Sequence, residues 1–239
     1  MHCITDAVPR IEQLRQEGVL NVNKPAGITS FTVVKKIRAW TGARKVGHAG
    51  TLDPMATGVL IILTGKATKR SAEFMNRRKE YRATIRLCRQ SDTDDLEGKI
   101  TAERPVPDFS EQELDEALQK FSGTVMQVPP MYAALRKDGK RLYKLARQGV
   151  VVEREPRPVE IYSIELLSWE KPEMQIRVNC GRGTYIRALA RDVGEELKAG
   201  GLLSRLARTR VGDCTLEDSW SLDALETALN DQHEDLPET

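Results

Sequence analysis

The stretch Gly47-His48-Ala49-Gly50-Thr51-Leu52-Asp53-Pro54-Met55-Ala56-Thr57-Gly58 constrains this chain more than any other. Its three glycines, one proline and two threonines disfavour both helix and strand. The run after it, Val59-Leu60-Ile61-Ile62-Leu63, has the character of a buried strand. The pattern predicts an ordered loop, lying at the edge of a sheet, that runs into a buried strand. One carboxylate, Asp53, stands in the middle, five residues after His48. Pro54 keeps Asp53 out of helical conformation and stiffens the chain behind it. Gly50 lets another backbone approach closely. A single acid on such a loop fits a nucleophile. It also fits a turn in which Asp53 caps its own backbone.

Composition narrows the class. With 239 residues and 40% apolar content, the chain can bury a sizeable core in one large or two small domains. No apolar run approaches the length of a membrane span. The first residues lack a basic region followed by an apolar core, so no signal peptide is expected. Cys3, Cys88, Cys180 and Cys214 are far apart, and the three histidines lack ligand spacing. Neither a structural zinc nor a disulfide framework is expected, and a reducing cytoplasm is the natural compartment. The net charge of +2 hides an asymmetry. Nine of the 35 acidic residues follow Arg210, the last basic one, so the body up to that point carries 37 basic and 26 acidic groups, a net of +11. Such a body suits a polyanion, although a solvated surface with a solubilising acidic tail has the same composition.

The remaining elements follow from local pattern. Val19 to Val22 reads as a strand. Ser30 fits the N-cap of a helix through Trp40, with Phe31, Val34, Ile37 and Arg38 on one face and Gly42 just past the end. Gly65-Lys66-Ala67-Thr68 is not a phosphate loop, because Leu60 stands where the first glycine belongs and Ala67 where a hydroxyl belongs. It reads instead as the start of a helix to Phe74. Glu80 to Leu87 alternates as a half-buried strand, with Tyr81, Ala83, Ile85 and Leu87 sharing a face. The acidic stretch Ser91 to Gly98 misses the calcium-loop spacing and reads as a solvated loop. A helix is expected over Ser110 to Phe121, and an extended segment from Pro129-Pro130. A basic turn is expected at 136–141, with a short helix over 142–148 behind it. Strands are expected over Pro156 to Leu167 and Met174 to Cys180, then a helix capped by Thr184 and running to Lys198. Strands alternating irregularly with helices point to an α+β fold with a mixed, mostly antiparallel sheet.

The loop pattern G-H-x-G-x-L-D-P-x-A-T-G resembles the catalytic loop of the TruB-type tRNA pseudouridine-55 synthases. Leu20 to Ser30 looks like that family's entry strand and lysine–proline turn. Lys79-Glu80-Tyr81-Arg82 looks like its tyrosine motif. Pro129 to Arg136 and Gly139 to Tyr143 resemble the bacterial branch. Gly183-Thr184-Tyr185-Ile186-Arg187 and Leu206-Ala207-Arg208 match its last two motifs. These matches run from about Gly18 to about Trp220. They imply a catalytic domain over 18–220, between an N-terminal extension (1–17) and an acidic tail (221–239).

The resemblance implies the pseudouridine synthase fold, with a central cleft, and the isomerisation of uridine 55 in the T loop of tRNA. Asp53 matches the nucleophile, which attacks either C6 of the base or C1′ of the ribose. Arg187 matches its arginine partner, and Tyr81 a residue that stacks on the base and helps move the C5 proton. His48 matches a residue that helps turn the nucleotide out, while Tyr185 and Leu206 line the base pocket. Lys24 is expected to bind substrate. Arg141, Lys144, Lys69 and Arg208 are expected on the RNA backbone. The T arm of tRNA is the expected partner of a cytoplasmic monomer that needs no cofactor and no metal.

Two features depart from the family pattern. Asn23 stands where the family usually has aspartate. The acidic stretch ends the chain where many relatives continue into a small RNA-binding domain, so weaker contact with the acceptor stem is expected. A non-catalytic tRNA-folding protein and a guide-RNA-dependent relative are the alternatives.

Overall fold

A computed structural model describes residues 8–133, 136–137, 140–141 and 152–234. Its elements in chain order begin with α1 (Ile11–Gln16), β1 (Glu17–Lys24), α2 (Ser30–Thr41), β2 (Val46–His48) and β3 (Thr57–Gly65). A 3₁₀ turn (Lys66–Arg70) leads into α3 (Ser71–Asn76), β4 (Lys79–Leu87), β5 (Arg89–Ser91) and β6 (Ile100–Glu103). Next come α4 (Glu111–Gln119), β7 (Gly123–Gln127), β8 (Arg136–Lys137), β9 (Lys140–Arg141), β10 (Arg157–Glu170) and β11 (Glu173–Cys180). The last are α5 (Ile186–Glu196), β12 (Gly201–Val211), β13 (Cys214–Thr215), β14 (Trp220–Ser221) and α6 (Leu222–Glu234). The expected helix over 142–148 lies outside the described residues.

The chain divides into two compact units, Met1–Tyr81 with Ala207–Thr239, and Arg82–Leu206. The divisions fall inside β4 and β12.

In the first unit, β3 is the central strand. Val59 to Leu63 are fully buried, as a continuous apolar run requires. β1 pairs antiparallel with β3, Leu20 opposite Ile62 and Val22 opposite Leu60. β12 pairs parallel with the other end of β3, with Ala207 opposite Thr57 and Arg208 opposite Gly58. β14 lies parallel to β1, and β2 antiparallel to β3. Helix α2 buries Ser30, Val33, Val34, Ile37 and Thr41 and ends at Gly42 in the left-handed region. Its apolar stripe is thus rotated from the expected one: Phe31 is 58% exposed. The N-cap is Thr29, whose side chain accepts from the Thr32 amide, one residue before the expected cap.

Residues 222–234 of the acidic C-terminal stretch form α6. Leu222, Leu225 and Leu229 are buried along α6, and Trp40 Nε1 donates to Glu226 Oε1 at 3.0 Å. Residues of the expected N-terminal extension are also packed, with Ile11 and Leu14 buried on α1.

In the second unit, β4, β11, β10 and β7 lie side by side. β11 and β7 flank β10 antiparallel to it. Ser204, in the first half of β12, donates to the Thr84 carbonyl at 3.1 Å. Helix α4 starts with a full capping box between Ser110 and Glu113. Helix α5 is capped at Tyr185, not Thr184, and stops at Glu196. The Thr184 hydroxyl donates to the Gly181 carbonyl at 3.3 Å instead. Both units are mixed α+β, as the pattern predicted. Cys88 is a free thiol and Cys214 is disulfide-bonded.

Candidate active site

In the first unit the Asp53 loop is gripped through its backbone. Ser30 Oγ accepts from the Leu52 amide and donates to the Leu52 carbonyl, both at 2.9 Å. The residue expected to cap α2 therefore anchors the loop one residue before the acid. Lys24, fully buried, points its ammonium at three carbonyls: Pro25 at 2.7 Å, Ile28 at 2.9 Å and Pro54 at 3.1 Å. The Gly27 amide meets the same Pro54 carbonyl at 2.9 Å. The Ala56 amide closes a turn on the Asp53 carbonyl at 3.1 Å.

The other side of the loop is held by Arg208. Its guanidinium is 1% exposed and donates to the carbonyls of Val59 at 2.7 Å and Gly50 at 3.1 Å. Gly58 makes this approach possible. Its φ is +100°, and a Cβ there would lie 2.2 Å from the Arg208 carbonyl oxygen. Leu52 and Ala56 are buried on either side of Asp53, which is itself half-buried.

His48 ends β2 beside this loop. Its Nδ1 is buried and has no hydrogen-bond partner among the described residues. Burial first, and the Arg208 charge second, push its pKa below the usual histidine value, so the ring is neutral at pH 7. Tyr81, 8% exposed, lies on β4 in the same unit.

The second unit carries Arg187, Tyr185 and Leu206. Arg187, 4% exposed, donates to the carbonyls of Thr93 at 2.8 Å and Tyr132 at 2.9 Å. Its Nε lies 3.7 Å from Asp95 Oδ2. Gln127, buried at the end of β7, holds the Tyr185 backbone at both ends. It accepts from the Tyr185 amide at 2.8 Å and donates to its carbonyl at 3.1 Å. Leu206 is buried at the end of the unit.

A separate groove of about 640 Å³ in the first unit is lined by Arg15, Arg44, Lys45, Lys66 and Lys69, with no acidic side chain among its lining residues.

Residues 38–186 match the model of the TruB family pseudouridylate synthase N-terminal domain. This chain belongs to the TruB family. Among curated TruB relatives, tRNA pseudouridine synthase B of Phocaeicola vulgatus is 50% identical over 90% of this chain and 94% of that one. The protein of the same name from Gloeobacter violaceus is 48% identical over 89% and 74%. Among solved structures, a chain of a Cbf5-Nop10-Gar1 complex superposes with a TM-score of 0.72 at 30% identity, over 94% of this chain and 60% of that one.

The Lys24 ammonium is buried on loop carbonyls. One expected contact is corrected: Arg208 does not face RNA phosphates, because its guanidinium is buried inside the first unit. The reading of Ser91 to Gly98 as a solvated loop holds for Asp92, Leu96 and Glu97, which are exposed, and is corrected for Ser91, Asp94 and Asp95, which are buried. Their burial depends on Arg187 and Arg191, about a hundred residues away, which local composition cannot reveal. Lys69 is exposed and lines the basic groove. Arg141 ends the strand pair β8–β9, and Lys144 lies outside the described residues. Gln127 and Arg191 carry no motif signal; Ser30 does, as the end of the lysine–proline motif and the expected N-cap of α2.

Proposed function

We propose that this chain isomerises uridine 55 of tRNA to pseudouridine with Asp53 as its nucleophile, acting as a cytoplasmic monomer. The observation that carries this reading is the Asp53 loop. Lys24, Ser30 and Arg208, all buried, fix its backbone on both sides of a half-buried carboxylate. Such rigidity supports an acid that must meet one atom of a flipped nucleotide, because orientation supplies much of the rate. The family match and the names of the relatives support the substrate class.

The reaction breaks the N1–C1′ bond and forms C5–C1′. A proton leaves C5 and N1 regains one, so product and substrate are isomers and nothing else is consumed. Asp53 attacks C6 or C1′. Tyr81 stacks on the base and takes part in the C5 proton transfer, and Arg187 takes the role of the family's site arginine. Neutral His48 helps turn the nucleotide out, and Tyr185 and Leu206 line the base pocket. Stacking contributes about 1–3 kcal/mol per base, which offsets much of the unstacking cost. The sugar–phosphate backbone meets the groove that holds Lys69 and the basic turn near Arg141 and Lys144.

The test is tritium release from tRNA labelled at C5 of uridine, with purified protein alone. Release from wild type and none from Asp53→Asn is expected. Release from both variants at one rate overturns the assignment.

A further inference from the structure

Arg187 and Arg191 lie four residues apart on α5, one helical turn, so their side chains share a face. They reach the same two segments. Arg187 binds Thr93 and Asp95 on one segment and the Tyr132 carbonyl on the other. Arg191 Nη1 donates to Asp94 Oδ2 at 3.0 Å, and its Nη2 to the Val128 carbonyl at 3.0 Å. Its Nε is fixed on Asp192 Oδ1 at 2.9 Å. The two guanidiniums thus make parallel clamps across one loop and one strand exit.

The loop needs the second clamp. Asp94 sits at φ +60°, a left-handed conformation rare outside glycine. Its backbone is tied by the Leu203 amide, which donates to the Asp94 carbonyl at 3.0 Å. Burial raises the Asp94 pKa, and Arg191 is the strongest influence in the opposite direction, followed by Arg187. Without Arg191, a buried carboxylate on a strained residue loses its nearest counter-charge. The neighbouring Thr93 and Asp95 are the groups that orient Arg187.

We propose that Arg191 is a positioning residue for the isomerisation: it sets the Arg187 guanidinium by fixing the Thr93–Asp95 loop and the Val128–Tyr132 segment. This rests on the reading of Arg187 as a site residue.

The test measures single-turnover pseudouridine formation, tRNA Kd and Tm for Arg191→Met, Arg191→Lys, Arg187→Lys and the Arg191→Met/Arg187→Lys pair. Arg191→Met is expected to fold and bind tRNA within threefold of wild type while its single-turnover rate falls about tenfold to a hundredfold, the cost of a misplaced site group. Arg191→Lys should recover part of the rate, since an ammonium can meet Asp94 but lacks the fork that also reaches Val128. In the pair, Arg191→Met should cost little more than Arg187→Lys alone, because both act on one guanidinium. A folded Arg191→Met protein with wild-type single-turnover rate overturns the proposal, provided Arg187→Lys is impaired. If Arg187→Lys is also unimpaired, the reading of Arg187 itself fails. Should Arg191→Met not fold, Asp94→Asn replaces it: a loss of rate at unchanged Kd supports the clamp, and a wild-type rate rejects it.

Discussion

Two acid-bearing loops, one in each unit, are held by buried cations in different ways. Around Asp53, Lys24 and Arg208 donate to backbone carbonyls of the loop. Around Asp94 and Asp95, Arg191 and Arg187 meet the carboxylates as well as carbonyls. A cation on a carbonyl fixes the path of the chain whatever the charge of the nearby acid. A cation on a carboxylate makes the loop depend on that charge. The first arrangement suits an acid whose charge changes character during a reaction. The second suits an acid whose task is to hold an arginine.

The largest effect should come from substituting the two acids in parallel. Asp53→Asn is expected to lower single-turnover rate by at least about 10³-fold, as removal of a nucleophile does, and to leave Tm within about 2 °C of wild type. Asp95→Asn should lower stability by about 1–3 kcal/mol, because a charge-assisted contact to a buried arginine is lost. Thermal melts beside rapid-quench assays decide it. An Asp53→Asn protein that melts as early as Asp95→Asn removes the distinction between the loops.

Tyr81 sharpens the account of the first unit. A core tyrosine that loses its hydroxyl gives up about 0.5–1.5 kcal/mol of stability and keeps its chemistry. A hydroxyl that takes part in proton transfer contributes about 10²–10⁴-fold to rate. Tyr81→Phe is expected to retain Tm and tRNA affinity and to slow single-turnover product formation at least about a hundredfold. An undiminished rate would return Tyr81 to stacking or packing.

The two loops differed equally in how much the sequence disclosed. The ordered loop around Asp53 was legible because Gly50, Pro54 and Gly58 are local signals whose backbone consequences do not depend on distant residues. The strand behind it was legible for the same reason, as a run of buried aliphatics. Asp94 and Asp95 were misread as solvated. Acid-rich turns look hydrophilic until arginines nearly a hundred residues away are brought against them. Arg208 departs in the opposite sense: expected on the RNA backbone, it is buried where β12 pairs parallel with β3. The acidic C-terminal stretch concealed α6, because the acids interleaved along residues 222–234 masked the i, i+3, i+7 spacing of Leu222, Leu225 and Leu229.

The groove of the first unit should give a smaller effect. Replacing Lys66 and Lys69 with alanine is expected to weaken tRNA binding and reduce the slope of log K against log salt by about 1–2, since each phosphate contact releases counterions. Chemistry at saturating tRNA should persist. An unchanged slope in filter-binding titrations would place the RNA backbone elsewhere.

The smallest predicted effect concerns pH, where the two units should respond with opposite sign. His48 has a folded pKa below its ordinary value near 6.5, owing to burial and then to Arg208. Its stability contribution is complete above that ordinary value and is lost as pH falls through the folded pKa, because the unfolded chain binds the proton first. Asp94 and Asp192 have folded pKa values raised by burial from an ordinary 3.8. Their contribution is complete below 3.8 and is lost as pH rises through the raised values, because the folded state holds the proton longer. Acidification from about pH 7.5 to about pH 5 should therefore destabilise the first unit through His48, by at most about 1.4 kcal/mol per pH unit. Between 3.8 and their raised values, acid should favour the second unit through Asp94 and Asp192. Chemical unfolding of His48→Gln across this range should show a flatter acid limb than wild type, whereas Asp94→Asn should lose the gain on acidification. A His48→Gln protein with the wild-type acid limb would mean that the ring titrates as freely in the folded loop as in the unfolded chain, and the neutral imidazole beside Arg208 would have to be abandoned.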